Sequence, residues 1–136
     1  MKKIFLILTL ALLAGFTSKA QGDDKIRDKM REFIQKRLNL TRNEAERFTP
    51  VFIRYFREWK QTLQEHRADG LVRQQKIIEL RLRYRTEFRD IVGEKRSNDV
   101  YKQQDVFIRE IKEMREEQIK ARRADRPTKG FRTLIQ

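Results

Sequence analysis

The sequence predicts an all-α fold of four helices. Apolar residues recur at spacings of three and four along four stretches of the 136-residue chain, which places them on one face of each helix. Capping residues or glycine separate these stretches. Because 39% of the residues are charged, the core is expected to be thin. We therefore expect a thin, bent layer of antiparallel helical hairpins that gains buried area by forming a dimer.

Residues 1–20 are predicted to be a signal peptide. Two lysines are followed by an apolar run from Ile4 to Phe16 and by a small-x-small cleavage pattern that ends at Ala20. The run is shorter than the roughly 20 residues of a spanning helix, so we favour cleavage before Gln21 over a retained anchor. Export would place the protein in the periplasm. Loss of the leader would lower its net charge from +13 to about +10.

The helical domain is predicted to span residues 21–124, with helix one from about Asp24 to Arg37. Helix two begins after Thr41, a good N-cap, and Glu44 follows three residues later, where its carboxylate can reach the Thr41 backbone N–H. Thr-x-x-Glu is a capping box, and the preceding Leu40 adds a weak hydrophobic staple. Leu40, Thr41 and Glu44 therefore mark the start of this helix.

An aromatic stripe extends helix two from Arg42 to about Arg67. Its members share a spacing of three or four residues, and they are Ala45, Phe48, Phe52, Tyr55, Phe56, Trp59 and Leu63. Pro50 either kinks one continuous helix or begins a second helix at that point. Since the stripe stays in phase across Pro50, we favour one kinked helix. Gly70 is predicted to be the C′ residue after this helix.

Helix three is predicted from about Leu71 to Val92, and Gly93 is expected to break or bend the chain. Helix four should begin between Glu94 and Asn98 and reach about Arg123. Its predicted core face comprises Val100, Phe107, Ile111 and Met114, with Tyr101 and Ile108 on the flank. Residues 125–136 are basic and are predicted to form a flexible tail.

Helix three carries a second flank outside its core stripe. Leu71, Ile78 and Leu82 lie about 120° from that stripe, and Arg85 and Arg89 continue the line. Aliphatic side chains mixed with arginines suit loose binding of non-native chains, because arginine attracts acidic groups and stacks on aromatic ones. A wide core face and a homodimer seam are the alternatives. The candidate partner-binding residues are Phe52, Ile53, Arg54 and Arg57 on helix two, and Ile78, Leu82, Arg85 and Arg89 on helix three.

No catalytic, metal-binding or cofactor-binding pattern is recognisable in the sequence. His66 is the single histidine, there is no cysteine, and neither a phosphate loop nor a zinc-binding helix is found. An enzyme is therefore not expected. The net charge of +13 would suggest nucleic acid for a cytosolic protein. After export we expect no nucleic-acid partner, and either acidic partners such as unfolded proteins and anionic lipid or simply a solvated charged surface.

The segment Leu40-Thr41-x-x-Glu44, with Phe48-x-Pro50 and the aromatic stripe after it, resembles the Spy/CpxP family of periplasmic proteins. That family is named for a Leu-Thr-x-x-Gln motif. The likeness covers roughly residues 25–123 and is closest to small members described as sensors of ECF-type sigma factors or periplasmic heavy-metal sensors. Glu44 stands where the family has Gln, and either residue can close a capping box.

The resemblance implies a cradle-like dimer with a basic, partly apolar concave face. It also implies a role in envelope stress, either as an ATP-independent chaperone of unfolded or envelope proteins or as a regulatory subunit that binds a membrane sensor or anti-sigma protein. Some relatives sense metals through His-rich or Cys-rich segments. This sequence lacks such segments, so we expect no metal and no cofactor.

Overall fold

The computed structural model describes the backbone of residues 17–126 and the side chains of residues 22–126. Within that range the chain forms four α-helices and no strand, which confirms the all-α prediction. The helices are α1 (Thr17–Arg37), α2 (Arg42–Glu65), α3 (Gly70–Val92) and α4 (Glu94–Ala124). None of these helices is both long enough and apolar enough to cross a membrane. Residues 1–16 of the predicted signal peptide and residues 127–136 of the predicted tail lie outside the described residues.

The helix α2 begins with the predicted capping box. The Thr41 hydroxyl accepts a hydrogen bond from the Glu44 backbone N–H at 3.2 Å, and the Thr41 backbone N–H donates to Glu44 Oε1 at 3.0 Å. The helix continues through Pro50, so the prediction of one helix rather than two is confirmed. The Thr49 hydroxyl donates to the Ala45 carbonyl at 2.8 Å, just before the residue that lacks an N–H.

The prediction for Gly70 was wrong. The helix α2 ends at Glu65, and Gly70 is the first residue of α3. Asp69 is the N-cap, because its carboxylate accepts hydrogen bonds from the backbone N–H groups of Leu71 at 3.1 Å and Val72 at 3.2 Å. An aspartate that caps the following helix stabilises that helix start, whereas the glycine needs no left-handed conformation here. Gly93 does adopt one, with φ of 87°, and it alone separates α3 from α4.

Neighbouring helices pack in antiparallel pairs. Between α2 and α3, Arg47 near the start of one helix donates to the Asp90 carbonyl near the end of the other, and Glu58 lies beside Arg83. The contacts between α1 and α2 show that these helices are antiparallel as well, and so do the contacts between α3 and α4. In the described chain α1 packs against α2 and α4, and α3 also packs against α2 and α4.

The core is aromatic and centres on Tyr55. Its ring centroid lies 5.5–6.0 Å from those of four other rings, which belong to Phe52, Tyr84, Phe88 and Tyr101. Tyr101 is therefore a core residue rather than a flank residue. Met114 was predicted to be in the core but is 56% exposed, and residues 112–124 of α4 are all exposed.

Candidate functional site

The predicted second flank of α3 is a surface in the described chain. Leu71 is 81% exposed, Ile78 is 58% exposed and Leu82 is 51% exposed, so these side chains do not extend the core. Arg85 and Arg89 are exposed as well, and both line a small cavity of about 90 Å³ beside the start of α4. We call these five residues the α3 flank. It mixes three aliphatic side chains with two guanidinium groups on one side of one helix.

Phe52 is not part of any surface. Its side chain is 0% exposed and stacks on Phe48 with a centroid distance of 5.5 Å. Its place in the predicted partner-binding set was wrong, because the part of the aromatic stripe from Phe48 to Phe56 faces inward. Ile53, the next residue, is rotated by about 100° and is half-buried.

The remaining α2 candidates do not adjoin the α3 flank. Ile53 and Arg57 line a groove of about 360 Å³ between α1 and α2, on the side of α2 that faces away from α3. Arg54 instead pairs with Glu87 of α3, with 2.6 Å between Nη2 and Oε2. The hydrogen bond to Glu87 raises the pKa of Arg54, which keeps this guanidinium charged and held at the α2–α3 seam. The structure therefore separates the predicted residues into two surfaces and one interhelical ion pair.

A polar network crosses the core beside Tyr55, and nothing in the sequence analysis predicted it. Arg81 donates to Tyr55 Oη at 3.3 Å, to Gln104 Oε1 at 3.0 Å and to Asp105 Oδ1 at 2.6 Å. The Tyr55 hydroxyl donates to the same Gln104 oxygen at 2.5 Å. The Tyr101 hydroxyl donates to the Arg81 carbonyl at 2.7 Å. The network joins α2, α3 and α4, and it extends from the buried side chains of Tyr55 and Gln104 to Asp105, whose side chain is 60% exposed.

The pKa values of Tyr55, Tyr101 and Arg81 indicate that this network has a structural role. Burial raises the pKa of Tyr55 to about 12, although the nearby Arg81 charge opposes that shift. Burial likewise raises the pKa of Tyr101. Burial disfavours the charge on Arg81, but its hydrogen bonds to Asp105 and Tyr55 outweigh burial and raise its pKa. Both phenols stay protonated near neutral pH, so they serve as hydrogen-bond donors rather than as bases.

A second cluster joins the capping box to the start of α4. Arg96, at the start of α4, pairs with both carboxylate oxygens of Glu44, and the Nη1–Oε1 distance is 3.2 Å. Arg96 also donates to the carbonyl of Val92 at 2.8 Å and to that of Leu38 at 3.4 Å. Glu44 thus closes the α2 capping box and holds the guanidinium that connects the ends of α1 and α3 to α4.

We expect Glu44→Gln to lower the melting temperature at pH 7 and to have no effect in acid. The hydrogen bond from Arg96 lowers the pKa of Glu44 below its ordinary value of 4.5. The carboxylate therefore stabilises the fold above about pH 4.5, and this contribution is lost as the pH falls through the lower folded pKa. Thermal unfolding from pH 7 to about pH 3, followed by circular dichroism, should show the two curves converging.

Thr41→Ala is the matched control for that pH series. It removes the hydroxyl that accepts from the Glu44 N–H but leaves the ion pair with Arg96, so it should cost about 1 kcal/mol and depend on pH much less than Glu44→Gln does. If the gap between Glu44→Gln and the unchanged protein stayed constant down to pH 3, the ion pair would not be its source.

An apolar groove lies where α1, α2 and α4 meet, and its volume is about 310 Å³. Its apolar lining residues are Ile26, Met30, Trp59, Phe107, Ile108 and Ile111, and Lys112 and Arg115 complete the lining. We call this the α1–α2–α4 groove. The groove was not predicted from the sequence, because Trp59 falls on the apolar stripe of α2 and was expected in the core.

Metal binding gains no support from the described side chains. Across residues 22–126, no three residues among His, Cys, Asp and Glu lie close enough together to hold an ion. The acidic side chains are instead spread along the helix surfaces, where many pair with arginine or lysine.

Comparison with known proteins gives no match, whether to a family model, a curated protein or a solved structure. The resemblance to the Spy/CpxP family therefore stays a prediction. The functions that the resemblance implies enter below as proposals.

Proposed function

We propose that this is an exported envelope-stress protein that binds unfolded or envelope proteins without ATP, through a basic, partly apolar helical surface. The observation that supports the proposal is the α3 flank. Ile78 and Leu82 are both more than half exposed, and Arg85 and Arg89 follow them on the same side of the helix. Isolated exposed aliphatic residues are common, but a line of them that ends in two arginines is a surface with a defined chemistry.

The charge of the α3 flank is available for a partner. Among the described residues, neither Arg85 nor Arg89 forms an ion pair, although other arginines such as Arg54 and Arg81 do. Without its leader the chain keeps a net charge of about +10, which attracts acidic segments over distances of about a Debye length, roughly 10 Å at 0.1 M salt. The aliphatic side chains then add non-directional contacts. A client is released once it buries its own apolar residues and leaves only weak contacts behind.

The proposal also includes the arrangement of the protein in the periplasm. The thin, bent helical layer would pair into a cradle-like homodimer, which would bury apolar surface that one copy leaves exposed. Leu71 on α3 and Met114 on α4, which are 81% and 56% exposed, support such pairing. Periplasmic location rests on the predicted signal peptide. Static light scattering of the purified chain should therefore give twice the mass of one copy.

The client-binding proposal is tested by suppression of aggregation. Purified protein should prevent a chemically denatured client from aggregating without ATP, and added salt should weaken the effect because it screens the arginines. Ile78→Asp combined with Leu82→Asp should raise the concentration needed for half suppression by roughly tenfold, since each aliphatic side chain contributes about 1.5–3 kcal/mol when fully buried and less when partly buried. Arg85→Glu combined with Arg89→Glu should weaken capture mainly at low salt.

The matched control reverses two charges on the opposite side of the same helix. Lys76→Glu combined with Arg83→Glu changes the net charge by the same amount, and the ion pairs that it breaks are exposed ones of small energy. Suppression should survive in this variant. Absence of suppression by the unchanged protein at several-fold molar excess would contradict the proposal. Crosslinking in the envelope should then capture many clients, whereas one stoichiometric partner would instead indicate the regulatory subunit that binds a sensor or anti-sigma protein.

A further inference from the structure

The α1–α2–α4 groove has a buried floor and open walls. Met30 is 1% exposed and Phe107 is 8% exposed, whereas Ile26 and Ile108 at the walls are each 36% exposed. Trp59 is half-buried and packs against Phe56 with a centroid distance of 5.6 Å. An apolar ligand in the groove would therefore contact a fixed floor and would cover side chains that now face water. Its burial would contribute free energy in proportion to the apolar area removed from water.

The charged side chains that line the groove are all positive. Lys112 and Arg115 line it, and in the part of the chain that the structure describes neither forms an ion pair with a carboxylate. Both residues lie on the exposed portion of α4. No acidic residue contributes to the lining. The groove thus presents an apolar surface with two cationic groups beside it, which complements a ligand with an apolar body and an anionic head.

The size of the groove suits a small, single-chain ligand. Small-molecule sites have volumes of about 300–1,000 Å³, and the groove, with about 310 Å³, lies at the lower limit. A single flexible chain fits the available space, and its carboxylate can reach a lysine or an arginine at the end of its own length.

We propose that the α1–α2–α4 groove binds a single-chain anionic amphiphile with a carboxylate head, of the fatty-acid class. The chain lies on Met30, Trp59 and Phe107, and the carboxylate pairs with Lys112 or Arg115. This ligand site is separate from the α3 flank, because no α3 residue lines the groove. The inference is therefore independent of the proposed chaperone function.

Trp59 is the only tryptophan in the chain, so its fluorescence reports on this groove alone. Titration with dodecanoate, below the concentration at which it forms micelles, should change the emission saturably with a stoichiometry of one. Decanoate should bind roughly tenfold more weakly, because two fewer methylenes are buried. Dodecyltrimethylammonium, which has the same chain and a cationic head, should also bind about tenfold more weakly.

Charge reversal at the groove provides the decisive variant. Lys112→Glu combined with Arg115→Glu should exchange the preference, so that the cationic amphiphile binds more tightly than dodecanoate. Arg122→Glu combined with Arg123→Glu is the matched control, since it makes the same charge change on exposed residues further along α4 and should leave both affinities unaltered. All four positions are exposed, so circular dichroism should show the same helix content in every variant.

Three results would overturn the inference. One is equal affinity for the two head charges, which would indicate a general apolar surface. Another is an equal loss of dodecanoate binding in the Arg122→Glu, Arg123→Glu control, which would indicate an effect of net charge. The third is a halving of the mass in light scattering when dodecanoate binds, because a second copy of the chain would then be the occupant of the groove.

Discussion

Phe52→Ala should lower the free energy of unfolding by about 3–5 kcal/mol, the largest effect that we expect from a single substitution in this chain. The side chain is 0% exposed, and its ring lies 5.5 Å from that of Phe48 and 6.0 Å from that of Tyr55. Alanine would remove this buried area and leave a cavity that stacked neighbouring rings cannot easily fill. Urea unfolding followed by circular dichroism measures the loss as a lower midpoint with an unchanged slope.

Leu82→Ala is the control, because it removes an aliphatic side chain that is 51% exposed on the α3 flank. Its free energy of unfolding should stay within about 0.5 kcal/mol of that of the unchanged protein. The pair also separates two roles, since Leu82→Ala should weaken client binding without unfolding the protein. Comparable destabilisation by both substitutions would contradict the division into core and surface.

Arg81→Met should lower the free energy of unfolding by about 2–3 kcal/mol, the second-largest expected effect. Methionine keeps much of the aliphatic length but donates no hydrogen bond. The buried oxygens of Tyr55 and Gln104 would lose a charged donor, whereas Asp105, with a side chain 60% exposed, could be solvated instead. Arg83→Met, two residues further along α3, should have a much smaller effect, because its carboxylate partner Glu58 is 3.9 Å away and the Arg83 side chain is 67% exposed.

A double-mutant cycle distinguishes the network from simple packing. Gln104→Leu removes the oxygen that accepts from both Arg81 and Tyr55. Once Arg81 is methionine, that oxygen has already lost its charged donor, so the two substitutions together should cost less than the sum of their separate costs, by about 0.5–3 kcal/mol. Strict additivity would show that Arg81 and Gln104 act independently.

The helix α1 begins at Thr17 rather than near the predicted Asp24, but the boundaries of the other helices were largely predictable from the sequence. The Thr41–Glu44 capping box and the position of Gly93 both appear in the structure as expected. A cap depends on backbone groups two or three residues away, and a stripe depends on a fixed rotation per residue. The prediction for Gly70 failed because the neighbouring Asp69 is the N-cap of the following helix, so Gly70 begins that helix and does not end the preceding one.

The candidate site was predictable only in part. The exposed aliphatic residues Ile78 and Leu82 could be identified because they depart from the core stripe of their own helix. The aromatic stripe already placed Phe52 on the core face of α2, so its inclusion in the partner-binding set contradicted that pattern, and its burial confirms the stripe. Arg81 was one of many arginines in α3, and the signal that could have indicated its role was Gln104, a polar residue in line with Val100 and Phe107.

The residue pattern alone specifies four amphipathic helices and the side of α3 that carries surplus aliphatic residues. It also specifies the start of α2 at its capping box and the break between α3 and α4 at Gly93. These properties depend on interactions within one or two helical turns. Three other features depend on how the helices pack: Arg81 donates to Gln104, Glu44 pairs with Arg96, and an apolar groove with two cationic side chains lies beside Trp59. The physical reason is distance along the chain: Glu44 and Arg96 are 52 residues apart, and Tyr55 and Gln104 are 49 apart. Such contacts form only after the helices pack, so no local pattern specifies them.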